Sequence, residues 1–168
     1  FMHDVFGCLW FDKTNQTNYR VEYRKLEAKI KSAKYITDEY RLIKTIQLYK
    51  SSTNLFIILP DSTDLIDILN SVHSFTQVYA IYILTSCATD RQELLSSEQY
   101  SKIIALFHQP QQLFIQILHD VAIELIHVSN DYKTEHKYKL ATILHDYSTE
   151  LLLTMKELIT ERLKEIDP

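Results

Sequence analysis

The sequence predicts an α/β fold: a doubly wound, five-stranded parallel sheet in the order 2-1-3-4-5, with an additional long C-terminal helix. Three observations predict it. Asn54 to Pro60 (Asn-Leu-Phe-Ile-Ile-Leu-Pro) and Val78 to Thr85 (Val-Tyr-Ala-Ile-Tyr-Ile-Leu-Thr) are apolar at nearly every position. That is the pattern of strands buried on both faces, and so of a parallel sheet with helices on both sides. Runs of this kind alternate with amphipathic stretches as far as about residue 130, which is the rhythm of successive right-handed βαβ units. Beyond residue 131 no proline or glycine interrupts a long three-and-four pattern of apolar residues, the mark of an amphipathic helix.

The elements follow in order. Asp4 to Phe11 is β-branched and aromatic and reads as the first strand. Tyr19 to Lys31 reads as a helix, with Tyr19, Tyr23, Leu26 and Ile30 on one face. A short strand is expected around Tyr35 and Ile36. Asp38 and Glu39 start a helix that runs to about Lys50, with a capping side chain and an acid at the positive end of its dipole. Its inward face is Leu42, Ile43, Ile46 and Tyr49. After the strand at 54–60, Ser62-Thr63-Asp64 offers a cap, and Leu65, Ile66, Ile68, Leu69 and Val72 form an inner helix face. The strand at 78–85 is followed by a polar segment and a short helix to about Gln99. Ser101 to Phe107 is the last strand, and Pro110 opens the next helix. There Leu113, Phe114, Ile117, Leu118, Val121, Ala122 and Leu125 share one face, and that helix completes the domain at residue 130. Residues 131–168 are expected to form one long helix from Tyr132 to Ile166. Its stripe of Leu140, Leu144, Tyr147, Leu151, Met155 and Leu158, widened by Leu152, Leu153, Ile159 and Leu163, is too broad to stay bare. It packs on its own domain, on a protein partner or on a second copy.

The totals exclude several classes of function. Of 168 residues, 46% are hydrophobic and 24% charged, which suits a packed core rather than a disordered chain. A net charge of −4 argues against a nucleic-acid partner. The basic cluster Arg20, Arg24, Lys25, Lys29, Lys31 and Lys34 is interrupted by Glu22 and Glu27 and reads as a solvated helix face. The single glycine, Gly7, rules out the glycine-rich loops that cradle phosphate. Two cysteines, Cys8 and Cys87, make no disulfide framework and read as free thiols in a reducing compartment. No run is long enough to span a membrane, and no charged leader precedes an apolar segment, so a cytoplasmic location is expected. The start at Phe1 reads as that of a fragment of a longer chain.

In an open parallel sheet, ligands bind beyond the carboxyl ends of the strands. The residues placed there are Asp12 and Lys13, Asp61 and Ser62, Thr85 and Ser86, and His108. Asp12, Asp61, Thr85, Ser86 and His108 are therefore the ligand-binding candidates. Paired carboxylates with a hydroxyl suit a hard cation or a phosphoryl group. No catalytic constellation stands out, and no cofactor is expected. Among the seven histidines, His119 and His127 are eight apart and lack the i, i+4 spacing of a helical zinc site, so no metal site is assigned.

This placement resembles the response-regulator receiver fold, which has acids after strand one, a phospho-accepting Asp after strand three, Ser or Thr after strand four, and Lys then Pro after strand five. Asp12, Asp61, Thr85 and Pro110 fall near those places. No second acid stands beside Asp12, and His108 or Gln109 stands where the Lys belongs. A closer resemblance covers roughly residues 5–122. Cys8-Leu9-Trp10-Phe11-Asp12, Tyr35-Ile36-Thr37-Asp38, Asn54 to Leu59, Phe75-Thr76-Gln77-Val78-Tyr79-Ala80-Ile81-Tyr82-Ile83 and Tyr100-Ser101-Lys102-Ile103-Ile104 are similar to a receiver-like (flavodoxin-like) domain. That domain stands at the N-terminus of large invertebrate proteins that carry TPR repeats or an ADP-ribosyltransferase module. The resemblance implies a non-catalytic accessory domain and transfers no catalytic residue. The expected function is a regulatory or protein-interaction domain of a larger intracellular protein. The alternative is a degenerate receiver that binds a small ligand, magnesium or a phosphoryl group at the strand ends.

Overall fold

The computed structural model describes residues 2–15, 17–86 and 91–166. The chain forms two compact units, Phe1–Pro110 and Gln111–Pro168. The first holds a helical turn α1 (Met2–Val5), β1 (Phe6–Phe11), α2 (Thr17–Glu27), β2 (Ala33–Ile36), α3 (Glu39–Leu48), β3 (Asn54–Pro60), α4 (Leu65–Val72), β4 (Val78–Leu84), α5 (Gln92–Leu95) and β5 (Ile103–Phe107). All strand pairs are parallel and the order is β2-β1-β3-β4-β5, so the sheet has the predicted topology.

The central strand shows why the apolar runs are continuous. Every residue of β3 after Asn54 is buried. Leu55, Ile57 and Leu59 join Leu9, Phe11, Ile81 and Ile83 on one face, against Leu42 and Ile46 of α3 and Leu65, Ile68, Leu69 and Val72 of α4. The intervening residues Phe56 and Ile58 pair in register with Cys8 and Trp10 of β1, and all four are wholly buried. On that face the Trp10 ring lies 6.2 Å from Tyr19 of α2, centre to centre. Fully burying one such side chain is worth about 1.5–3 kcal/mol.

Several boundaries differ from the sequence reading. Asp4 and Val5 belong to α1, so β1 starts at Phe6. The helix expected over 19–31 ends at Glu27, where Lys29 and Ile30 both donate to the carbonyl of Leu26 and close the last turn. Asp38 caps α3 as expected, accepting from the Arg41 N–H at 2.8 Å. Asp64 makes no such cap on α4; its carboxylate is taken by Lys13. Ile66, expected inward, is 36% exposed.

The second unit is a helical hairpin. α6 (Pro110–Thr134) and α7 (Tyr138–Ile166) are joined by three residues. Tyr132 therefore lies in α6, and the long C-terminal helix starts six residues later than expected. The break needs neither proline nor glycine. His136 adopts a left-handed conformation (φ 60°), with His136 N–H donating to Lys133 and Lys137 N–H to Tyr132. That pair of bonds is the Schellman motif, which satisfies the last carbonyls of a helix. The Ser129 hydroxyl then donates to the Ala141 carbonyl at 2.8 Å, holding the start of α7 to the end of α6. Of the six stripe residues, Leu144, Tyr147 and Leu151 are buried within the single chain, while Leu140, Met155 and Leu158 are half-buried. No helix among the described residues is long and apolar enough to cross a membrane.

Candidate functional site

The parallel strands deliver Asp12, Asp61 and Thr85 to one end of the sheet. The carboxyl end of β1 gives Asp12, which is 2% exposed and joined to β2 by its own N–H donating to Ile36. One carboxylate oxygen accepts from the Thr14 N–H (3.0 Å) and hydroxyl (2.6 Å). The other accepts from the Tyr35 hydroxyl (2.6 Å). Because Trp10 pairs with Tyr35 across β1 and β2, the strand order itself sets that phenol beside Asp12. Burial, and then the bond to Asp12, raise the Tyr35 pKa above the ordinary tyrosine range. A phenol kept protonated remains a donor.

Asp61, after β3, is half-buried and donates its N–H to Leu84 of β4. Its carboxylate accepts from the Thr85 hydroxyl at 3.0 Å and pairs with Arg91, whose Nε and terminal nitrogen both lie 3.2 Å from the second oxygen. Two further ties close the region. Lys13 pairs with Asp64, which raises the lysine and lowers the carboxylate pKa, chiefly through their hydrogen bond. Tyr19 overlooks the cleft, its pKa raised by burial first and then by Asp12 and Asp61. Phe11, Asp12, Lys13, Thr14, Tyr19, Pro60, Asp61 and Ser62 line a small, partly open cleft of about 30 Å³.

Asp12, Asp61 and Thr85 are thus brought together. Ser86 and His108 stand at the same end but are exposed, and among the described residues no hydrogen bond joins either to the two carboxylates. The residues that decide the chemistry are ones the sequence reading did not single out: Arg91, Tyr35, Thr14 and Asp64. Tyr35 was readable from the predicted 2-1 strand pairing. Arg91 sat in a polar segment with no periodicity to place it. Among the described residues, no group of three or more His, Cys, Asp or Glu is placed to hold a metal ion. Cys8 is wholly buried, which pushes its thiol up to about 12 and makes it a poor nucleophile; Cys87 lies outside the described residues.

Comparison of the chain with protein-family models, with curated proteins and with solved structures returns no match.

Proposed function

We propose that the chain is a non-catalytic regulatory or protein-interaction domain. One observation carries this reading: the two strand-end carboxylates are already served by the chain's own donors. Thr14 and Tyr35 hold Asp12, and Thr85 and Arg91 hold Asp61. A carboxylate that is to ligate a cation or attack phosphorus needs a free lone pair facing open space. The resemblance of residues 5–122 to a receiver-like accessory domain supports the same reading.

A second reading has its own support in the juxtaposition of Asp61 and Thr85, which suits a small ligand, magnesium or a phosphoryl group once Arg91 is displaced. Melting the chain with magnesium and beryllofluoride, a phosphoryl analogue, separates the two. The interaction reading expects no change in Tm. A rise of several degrees that disappears in Asp61→Asn would overturn it, because a ligand that binds the folded state must stabilise it.

A further inference from the structure

An open sheet ends in two strands whose outer N–H and C=O groups have no strand to pair with, and such edges attract stray chains. Here the edge strands are β2 and β5. β5 carries a register slip against β4, whereas β2 runs beside β1 without one, from Ala33 opposite Cys8 to Ile36 opposite Phe11. Successive residues of a strand turn their backbone groups to opposite edges. The Asp12 N–H donates to the Ile36 carbonyl, so Ile36 and Lys34 serve β1, and Ala33 and Tyr35 face outward.

Those outward groups are occupied, mostly by one side chain. The Ala33 N–H donates back to the Ile30 carbonyl at 2.9 Å. The Ala33 carbonyl accepts from the Tyr23 hydroxyl of α2 at 3.0 Å, and the Tyr35 backbone hydrogen-bonds to the same hydroxyl. A phenol has one proton to give and lone pairs to receive. Tyr23 thus answers a C=O and an N–H two residues apart, as a neighbouring strand would. Its ring is held in place: Tyr23 is 9% exposed, and its ring centre lies 5.2 Å from that of Tyr35. The Glu27 carboxylate, 3.1 Å from the hydroxyl, competes for the proton. Glu27 is exposed and can turn to water, whereas the bond to Ala33 is buried, and losing it would strand a buried acceptor. Burial first, and then Glu27, raise the Tyr23 pKa above the ordinary tyrosine range, so the hydroxyl keeps its proton at neutral pH.

We propose that Tyr23 is a lock on the β2 edge: its hydroxyl stands where a sixth strand would bond, so an extended segment of another chain finds only the Tyr35 carbonyl to pair with. A partner that added a strand there would first have to displace the phenol. The lock holds whether or not the strand ends bind a ligand, because Asp61 and Thr85 take no part in it.

Amide hydrogen exchange on the full chain, followed residue by residue by NMR, tests it. In the unaltered chain the Tyr35 N–H should be protected although it faces away from the sheet. Tyr23→Phe keeps the ring and removes the oxygen. It should lower the protection of Tyr35 at least about tenfold relative to Ile36, whose N–H faces β1 and so reports any general loss of stability. Glu27→Gln should leave that ratio unchanged, because Glu27 only competes for the hydroxyl proton. Free exchange of the Tyr35 N–H in the unaltered chain would overturn the lock without need of a variant. An unchanged ratio in Tyr23→Phe, or an equal loss in Glu27→Gln, would overturn it as well. Melting with magnesium and beryllofluoride reads Asp61 and not the β2 edge, so a failure of the lock and a failure of the interaction reading are told apart.

Discussion

Gly7 occupies a place where a Cβ has no room. Built on its backbone, that atom would meet a Leu55 methyl at 2.8 Å and the Tyr49 phenol at 3.0 Å. The Tyr49 hydroxyl is buried there with no hydrogen-bond partner among the described residues, so the ring is wedged against β1 rather than steered by a bond. The only glycine in the sequence was visible as an oddity in a strand; its reason lies in two side chains more than forty residues away and could not be read locally. Gly7→Ala is expected to cost about 1–3 kcal/mol in urea unfolding, the usual range for overpacking a full core. Leu55→Ala in the same chain should return part of that loss, because the two side chains compete for one space. Strictly additive losses would contradict the account. Asp12 and Asp61 differ in the same way from their appearance in the sequence. Their positions at the strand ends were legible, but apart from Thr14, two residues on from Asp12, the partners that occupy them come from β2, from just beyond β4 and from just before α5.

The elements themselves were largely legible because their periods are strong. β3 and α4 follow the two-fold and 3.6-fold patterns that the sequence displays, and their bounds lie within a few residues of the reading. The failures came where a boundary depends on backbone geometry rather than hydrophobicity. At the α6–α7 turn a left-handed residue ends the helix, and that residue is a histidine, so no glycine announced it. Such a conformation costs a residue with a Cβ on the order of 1 kcal/mol. His136→Gly is therefore expected to raise stability by about 0.5–1 kcal/mol, seen as a higher urea midpoint with an unchanged slope. An unchanged or lower midpoint would mean that the bond between His136 and the Tyr138 hydroxyl, 3.0 Å long, outweighs the backbone strain. Two exposed apolar residues in the sheet have a local cause as well. Tyr79 and Ile104, each 48% exposed, are the extra residues where the register slips between β3 and β4 and between β4 and β5. Bulges of this kind turn one side chain out of the pleat, and at an edge strand they discourage pairing with another sheet.

For the whole molecule, the parallel sheet in the order 2-1-3-4-5 was legible from its doubly apolar strands. The state of the site was not, because Tyr35, Thr85 and Arg91 are brought to the two carboxylates by the fold and not by spacing along the chain. Arg91 illustrates this. It is an ordinary charged residue in a polar stretch, and only the parallel neighbours β3 and β4 bring Asp61 and Thr85 within its reach. The long amphipathic helix was legible as a surface seeking cover. Leu144, Tyr147 and Leu151 of that stripe are buried, so part of the cover it sought is already supplied. The central claim remains that the chain's own side chains fill the strand-end site. Intact mass after incubation with an acyl phosphate and magnesium tests it most directly. The account predicts an unmodified chain, since Arg91 and Thr85 hold the Asp61 carboxylate. A phosphoryl adduct that Asp61→Asn abolishes would contradict it, and would make the strand ends a working site.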